Sequence, residues 1–166
     1  MLEINPRLFV GPQEDYEDRV RHQDGWYVVH AAKEPYHRQA VGYDGPDTAP
    51  EHPEYLAARR GHRLMLNLID AAVPVEIPAG IFDLALYFIE DGLALGSRVL
   101  MHCNQGLSRS ATIALLYMAS RTDALPARNA DEARAMFSLV YPPFQPGVAM
   151  RHFLTIHWES YTRKWQ

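Results

Sequence analysis

Short apolar runs alternate with amphipathic stretches along this chain, and their order predicts its elements. Leu8–Gly11 (LFVG) and Trp26–Ala31 (WYVVHA) are β-branched and aromatic, the composition of buried strands. Arg63–Ile69 (RLMLNLI) and Arg98–His102 (RVLMH) share that character. Pro12–His22 has proline first, acids early and arginines late, which predicts a short exposed helix. After Pro78, the apolar positions Ile81, Ala85, Phe88 and Ile89 recur at helical spacing and stop near Gly92. Ser110–Ser120 (SATIALLYMAS) is apolar nearly all round, so a buried helix is expected. Asn129, with Glu132 three residues on, caps a further helix carrying Ala133, Met136, Phe137 and Val140 on one face. Gly147 opens a last helix with Ala149, Phe153 and Ile156 inward. Strands alternate with helices first, and helices dominate later. The expected fold class is α/β, a central, mostly parallel sheet flanked by helices.

One stretch breaks the pattern. Residues 33–62 are rich in Pro, Gly, Asp and His and poor in aliphatics. They read as a loop insertion with one helical turn near Glu54–Arg60, ended by Gly61. Loops of this length are uncommon without a function.

Composition narrows the classes. The 166 residues suit one domain spanning 1–166. The net charge is −4 and the basic residues are scattered, which argues against nucleic acid and anionic lipid as partners. No apolar run approaches the ~20 residues of a membrane span. The first residues, MLEINPRLFVG, lack the basic and long apolar regions of a signal peptide. The single cysteine, Cys103, can form neither an intramolecular disulfide nor a cysteine-cluster zinc site, and it fits a reducing cytoplasm. Oligomeric state is left open by all of this.

That cysteine lies in residues 102–110, HCNQGLSRS, between an apolar strand and a buried helix. Ligands of open α/β sheets bind at such strand ends, and a helix N-terminus offers unpaired N–H groups and a positive dipole end. The five residues between Cys103 and Arg109 can turn their N–H groups around one tetrahedral dianion, with Gly106 supplying the backbone freedom. Asn104, Gln105, Gly106, Leu107, Ser108 and Arg109 are therefore the candidate binding residues. Arg109 presents a planar fork that can hold two phosphate oxygens. The same N–H groups, dipole and guanidinium favour thiolate over thiol, so Cys103 is expected to be a nucleophile ionised at neutral pH. Ser110 is placed to donate to the sulfur, and His102 to order the loop rather than carry protons. A small buried cysteine beside a capping arginine is the blander reading; it explains neither the glycine nor the Arg-Ser pair.

His before cysteine and C-x5-R-S after a strand resemble the signature of the cysteine-dependent protein phosphatases, and SRVLMHCNQGLSRSATIALLYMAS resembles their dual-specificity subgroup. INPRLFVG resembles that subgroup's first strand, and RLMLNLID the strand that delivers its general acid. The resemblance spans about Ile4 to Tyr161 and is specific over residues 98–120. It implies a two-step reaction through a phosphocysteine, with no metal and no cofactor. Such chemistry needs one group to protonate the leaving oxygen and then activate water. Asp70 ends the RLMLNLI stretch 33 residues before Cys103 and is the candidate, with Glu76 and Asp83 as fallbacks. The following AAVPVEIP departs from the family's usual polar loop.

The loop residues Asn104, Gln105, Leu107 and Ser108 are uncharged, against a polyphosphorylated inositide or an RNA 5′-triphosphate as substrate. A phosphotyrosine or phosphoserine/threonine protein or peptide leads; a phosphorylated carbohydrate or other small monoester stays open. Two further classes fit the motif less well. A phosphopeptide-binding pseudophosphatase would usually have lost Cys103 or Arg109. A rhodanese-like sulfurtransferase accounts less well for His102 and the Arg-Ser pair. Low-molecular-weight phosphatases place the motif before the acid, the reverse of the order here. His30, Lys33, Tyr36, His37 and Arg38 follow the second strand; they could rim the pocket and contact substrate, and for each one solvating a loop is the favoured expectation. His52, His62, His152 and His157 read as non-metal histidines, Trp158 and Trp165 as packing or surface residues, and Tyr141–Gln145 as a turn bordering the site.

Overall fold

A computed structural model describes residues 1–163. Six strands form one sheet: β1 (Leu2–Asn5), β2 (Leu8–Pro12), β3 (Trp26–His30), β4 (Ala57–Arg60), β5 (Arg63–Leu66) and β6 (Arg98–Cys103). Their order is β1-β2-β6-β3-β5-β4. The four inner strands β2, β6, β3 and β5 run parallel, and β1 and β4 pair antiparallel at the two edges. Parallel inner strands must be covered on both faces. Alternation does this: Tyr27, Val29, Val99 and Met101 join the larger core, while Trp26, Val28 and Leu100 join a smaller one.

The larger core is closed by α3 (Ala79–Ala94), α4 (Arg109–Arg121), α5 (Ala130–Val140) and α6 (Val148–Thr162). Helix α4 is buried at every position from Ser110 to Ser120, as its all-round apolar sequence requires. Ile81, Ala85, Phe88 and Ile89 all face inward from α3. Asn129 caps α5, its side chain accepting from the Glu132 N–H at 2.9 Å. The α6 expectation holds for Ala149 and Phe153 and fails for Ile156, which is 56% exposed. The buried stripe runs through Met150, Leu154, Trp158 and Tyr161, and Ile156 lies off it. Val140 likewise ends α5 half exposed. Trp158 packs in the core, whereas Trp165 lies outside the described residues.

The smaller core is closed by a helical segment made of α1 (Gln13–Asp15) and a wide turn at Tyr16–Val20, and by a second made of a turn at Lys33–His37 and α2 (Arg38–Val41). The first was expected to be exposed; instead Asp15, Tyr16 and Val20 are buried, because the second sheet face needs a cover. Residues 33–62 are also more ordered than a loop. The expected helical turn at Glu54–Arg60 is the edge strand β4 over its last four residues. Gly61 (φ 59°) and His62 form a two-residue reversal into β5, so cross-strand pairing overrides the helix preference of Ala57 and Ala58. His37 is fully buried and pins the insertion: its Nε2 meets the Glu54 carbonyl at 2.8 Å and its Nδ1 the Tyr43 hydroxyl at 3.1 Å. No helix among the described residues is long and apolar enough to cross a membrane.

Candidate active site

Cys103 ends β6, and residues 104–108 carry the chain to Arg109, the first residue of α4. The turn is tight where Gly106 passes over β2. Its φ is 73°, and a Cβ there would sit 2.5 Å from the Gly11 carbonyl carbon. No other residue meets both conditions without strain. Cys103, Asn104, Gln105, Leu107, Ser108, Arg109 and Asp70 line one cavity of about 280 Å³ at this edge. Gly106 is buried behind the loop. Cys103 is 2% exposed, and its Sγ accepts a hydrogen bond from Ser110 Oγ at 3.3 Å. Burial alone would push this thiol up. The Ser110 hydroxyl, the Ser110 N–H, the Arg109 charge and the Gly106 N–H outweigh it, and the thiol lies below its ordinary value.

Arg109 donates from Nη1 to the Leu68 carbonyl (3.2 Å) and from Nη2 to Asn104 Oδ1 (2.5 Å). Its Nε is buried and has no protein partner among the described residues. Asn104 in turn donates to Gln13 Oε1 (3.0 Å) and the Glu34 carbonyl (3.1 Å). Its side chain thus aims the guanidinium and ties the loop to two neighbouring segments. The Ser108 hydroxyl oxygen accepts the Gly147 N–H at 2.8 Å. Asp70 is exposed at the cavity wall, against Gly147, where a Cβ would run into its carboxylate. Of the fallback acids, Glu76 lines a neighbouring groove with Leu68 and Ile69, and Asp83 accepts from Tyr161 Oη at 2.7 Å on α3.

Several supporting residues carry no local sequence signal. The turn between α5 and α6 braces the loop from outside. Tyr141 Oη donates to the Gly106 carbonyl at 2.8 Å, and the Gln145 N–H donates to the Leu107 carbonyl at 2.8 Å. Burial, then the Cys103 charge, raise the Tyr141 phenol to about 12, so it stays a donor. Of the two turn residues expected to border the site, Gln145 reaches the loop through its backbone N–H and the Phe144 ring packs in the core; neither lines the cavity. Below the loop, His102 is fully buried. Its Nδ1 meets the Cys103 carbonyl at 3.2 Å and its Nε2 meets His30 Nδ1 at 2.6 Å. Tyr16 stacks on the His102 ring with centroids 5.2 Å apart, and Tyr36 stacks on His30 at 4.5 Å. Burial lowers His102 to about 4 and His30 well below its usual value, so both rings are neutral at pH 7.

His30, Tyr36 and His37 therefore do not solvate a loop; all three are buried. Residue alternation turns His30 to the same face as His102, and parallel register sets them side by side. The other two residues of that group stay nearer the surface, Lys33 paired with Asp47 (3.1 Å) and Arg38 with Glu34 (2.6 Å).

No family model matches the chain. Over 122 residues, 72% of its length, it is 30% identical to human dual specificity protein phosphatase 16, and it spans 16% of that longer protein. Its fold matches the crystal structure of human DUSP28 with a TM-score of 0.63 at 17% identity, covering 95% of this chain and 92% of that one. It also matches the human tyrosine phosphatase-like serine/threonine/tyrosine-interacting protein with a TM-score of 0.59 at 20% identity, covering 95% and 94%.

Proposed function

From a chain that is like the dual-specificity phosphatases in sequence and in fold, we propose a cysteine phosphatase that hydrolyses phosphate monoesters of protein tyrosine and serine/threonine. The observation that carries this reading is the pairing of a thiol held below its ordinary value by its donors with the Arg109 guanidinium, in one cavity that Asp70 also lines. Cys103 Sγ attacks phosphorus in line, and Asp70 gives its proton to the leaving oxygen. Arg109 and the loop N–H groups hold the equatorial oxygens, where charge accumulates. In the second step Asp70 takes a proton from water as it attacks the phosphocysteine, and the Ser110 hydroxyl stabilises the departing thiolate. No step draws on a metal or a cofactor.

Neutral Asn104, Gln105, Leu107 and Ser108 around the cavity favour a singly phosphorylated side chain over a polyanionic ligand. The site would sit in the reducing cytoplasm, where a lone thiolate persists. Binding without turnover is the rival reading, and the intact Cys103, Arg109 and Asp70 set speaks against it.

The test is hydrolysis of an aryl phosphate in EDTA by wild type, Cys103→Ser and Asp70→Asn. Wild-type activity, abolition in Cys103→Ser and a loss of about 10²–10⁴-fold in Asp70→Asn are expected. Loss in Cys103→Ser alone moves the acid to another residue, Glu76 first. A wild type that binds phosphopeptide without turnover overturns the proposal.

A further inference from the structure

His30 and His102 form a hydrogen-bonded pair whose proton positions follow from what lies at its far end. A backbone carbonyl can only accept. His102 Nδ1, 3.2 Å from the Cys103 carbonyl, must therefore carry the proton. A neutral His102 then has a bare Nε2, and the 2.6 Å contact to His30 Nδ1 requires the proton to be on His30. His30 Nε2 has no partner among the described residues, so the ring makes one hydrogen bond, and that bond is spent on His102. Tyr16 and Tyr36 wall the pair in, with Tyr16 parallel to the His102 ring at an interplanar angle of 5°. Tyr16 is itself held by Arg63 Nη1 at 2.7 Å and Tyr36 by Glu17 at 3.1 Å.

We infer that His30 is a positioning residue for the reaction: its Nδ1–H holds the His102 ring in the orientation in which Nδ1–H pins the Cys103 carbonyl, and so sets the pose of the sulfur. The inference rests on the phosphatase reading of Cys103. Without the donor, the buried His102 Nε2 would be left bare, and nothing would hold the ring against turning. A turned ring takes its donor away from the Cys103 carbonyl at the hinge between β6 and the loop. Sγ then drifts from the Ser110 and Gly106 donors that stabilise the thiolate. The burial that keeps both rings neutral supports the assignment, since a charged ring would donate at both nitrogens.

The experiment compares wild type with His30→Leu and His30→Asn. Asparagine can place an N–H where Nδ1 lies, and leucine cannot. Nitrogen NMR of the histidine rings should show a hydrogen-bonded Nδ1–H on His102 in wild type and His30→Asn, and loss of that bond in His30→Leu. The pH midpoint of Cys103 alkylation should rise in His30→Leu and return toward wild type in His30→Asn. For an aryl phosphate, kcat should fall about 10- to 100-fold in His30→Leu with KM little changed, and recover in His30→Asn. The inference is overturned if His30→Leu keeps the hydrogen-bonded His102 Nδ1–H and the wild-type alkylation profile, or if His30→Asn loses as much as His30→Leu. A thermal melt of each variant separates a general loss of fold, which would lower both alike. If wild type hydrolyses no phosphate ester, the phosphatase reading fails, while the state of the His102 Nδ1–H still decides the pairing.

Discussion

Replacing Ser110 by alanine removes one donor from the Cys103 sulfur and little else. The hydroxyl is fully buried, 3.3 Å from Sγ, and deletion leaves a space smaller than a methyl group. The Ser110 N–H, the Gly106 N–H and the Arg109 charge remain. A hydrogen bond to a charged group contributes about 1.5–3 kcal/mol, and sulfur, a diffuse acceptor, belongs at the low end. One pKa unit corresponds to about 1.4 kcal/mol, so the thiol should rise by about 1 unit. Because Cys103 is the only cysteine, iodoacetamide alkylation reports it without background. Rate against pH should give a midpoint about 1 unit higher in Ser110→Ala than in wild type, by the same arithmetic. In pre-steady-state hydrolysis, the phosphoenzyme should accumulate, because its leaving thiolate has lost a stabilising donor. An unchanged midpoint would mean that the hydroxyl does not bond the thiolate in solution, and the role given to Ser110 would fall.

Other perturbations test the scaffold and the acid. Gly106→Ala should lower stability by more than about 1–2 kcal/mol in chemical denaturation, since strain at positive φ adds to collision with Gly11 and Pro12. Gly147→Ala suits the local backbone (φ −65°) but drives a methyl into the Asp70 carboxylate. It should leave the melting temperature near wild type and slow hydrolysis of poor leaving groups about 10- to 100-fold more than that of activated aryl phosphates. Stability should also depend on acid. His102 falls from 6.5 unfolded to about 4 folded, so below pH 6.5 the unfolded chain binds a proton that the native chain refuses. Stability is flat above that point and falls as pH drops toward 4, by on the order of 3 kcal/mol from this ring, with His30 adding in the same direction. Urea denaturation at pH 7 and pH 4.5 checks it: His102→Asn should lose less stability between the two, and an equal loss would remove His102 as the cause.

The geometry of residues 102–110 was readable in the sequence because every part of it is local. A cysteine, a glycine, an arginine and a serine must fit one turn between one strand and one helix, so their spacing along the chain carries their arrangement. The four long helices and the inner strands were readable for the same reason: burial on one side or on all sides writes a period into the residues themselves. The tertiary structure alone decided what distant segments contribute. The edge strand β4 exists because β5 offers it a ladder, against the helix preference of its alanines. Asp70 lines one cavity with Cys103, and the Gly147 and Tyr141 turn braces the loop, because separate connections converge on one sheet edge. His30 read as a polar loop residue and is instead a buried partner of His102. Parallel register between β3 and β6 sets the two side by side, and register is a property of paired strands that neither strand carries alone.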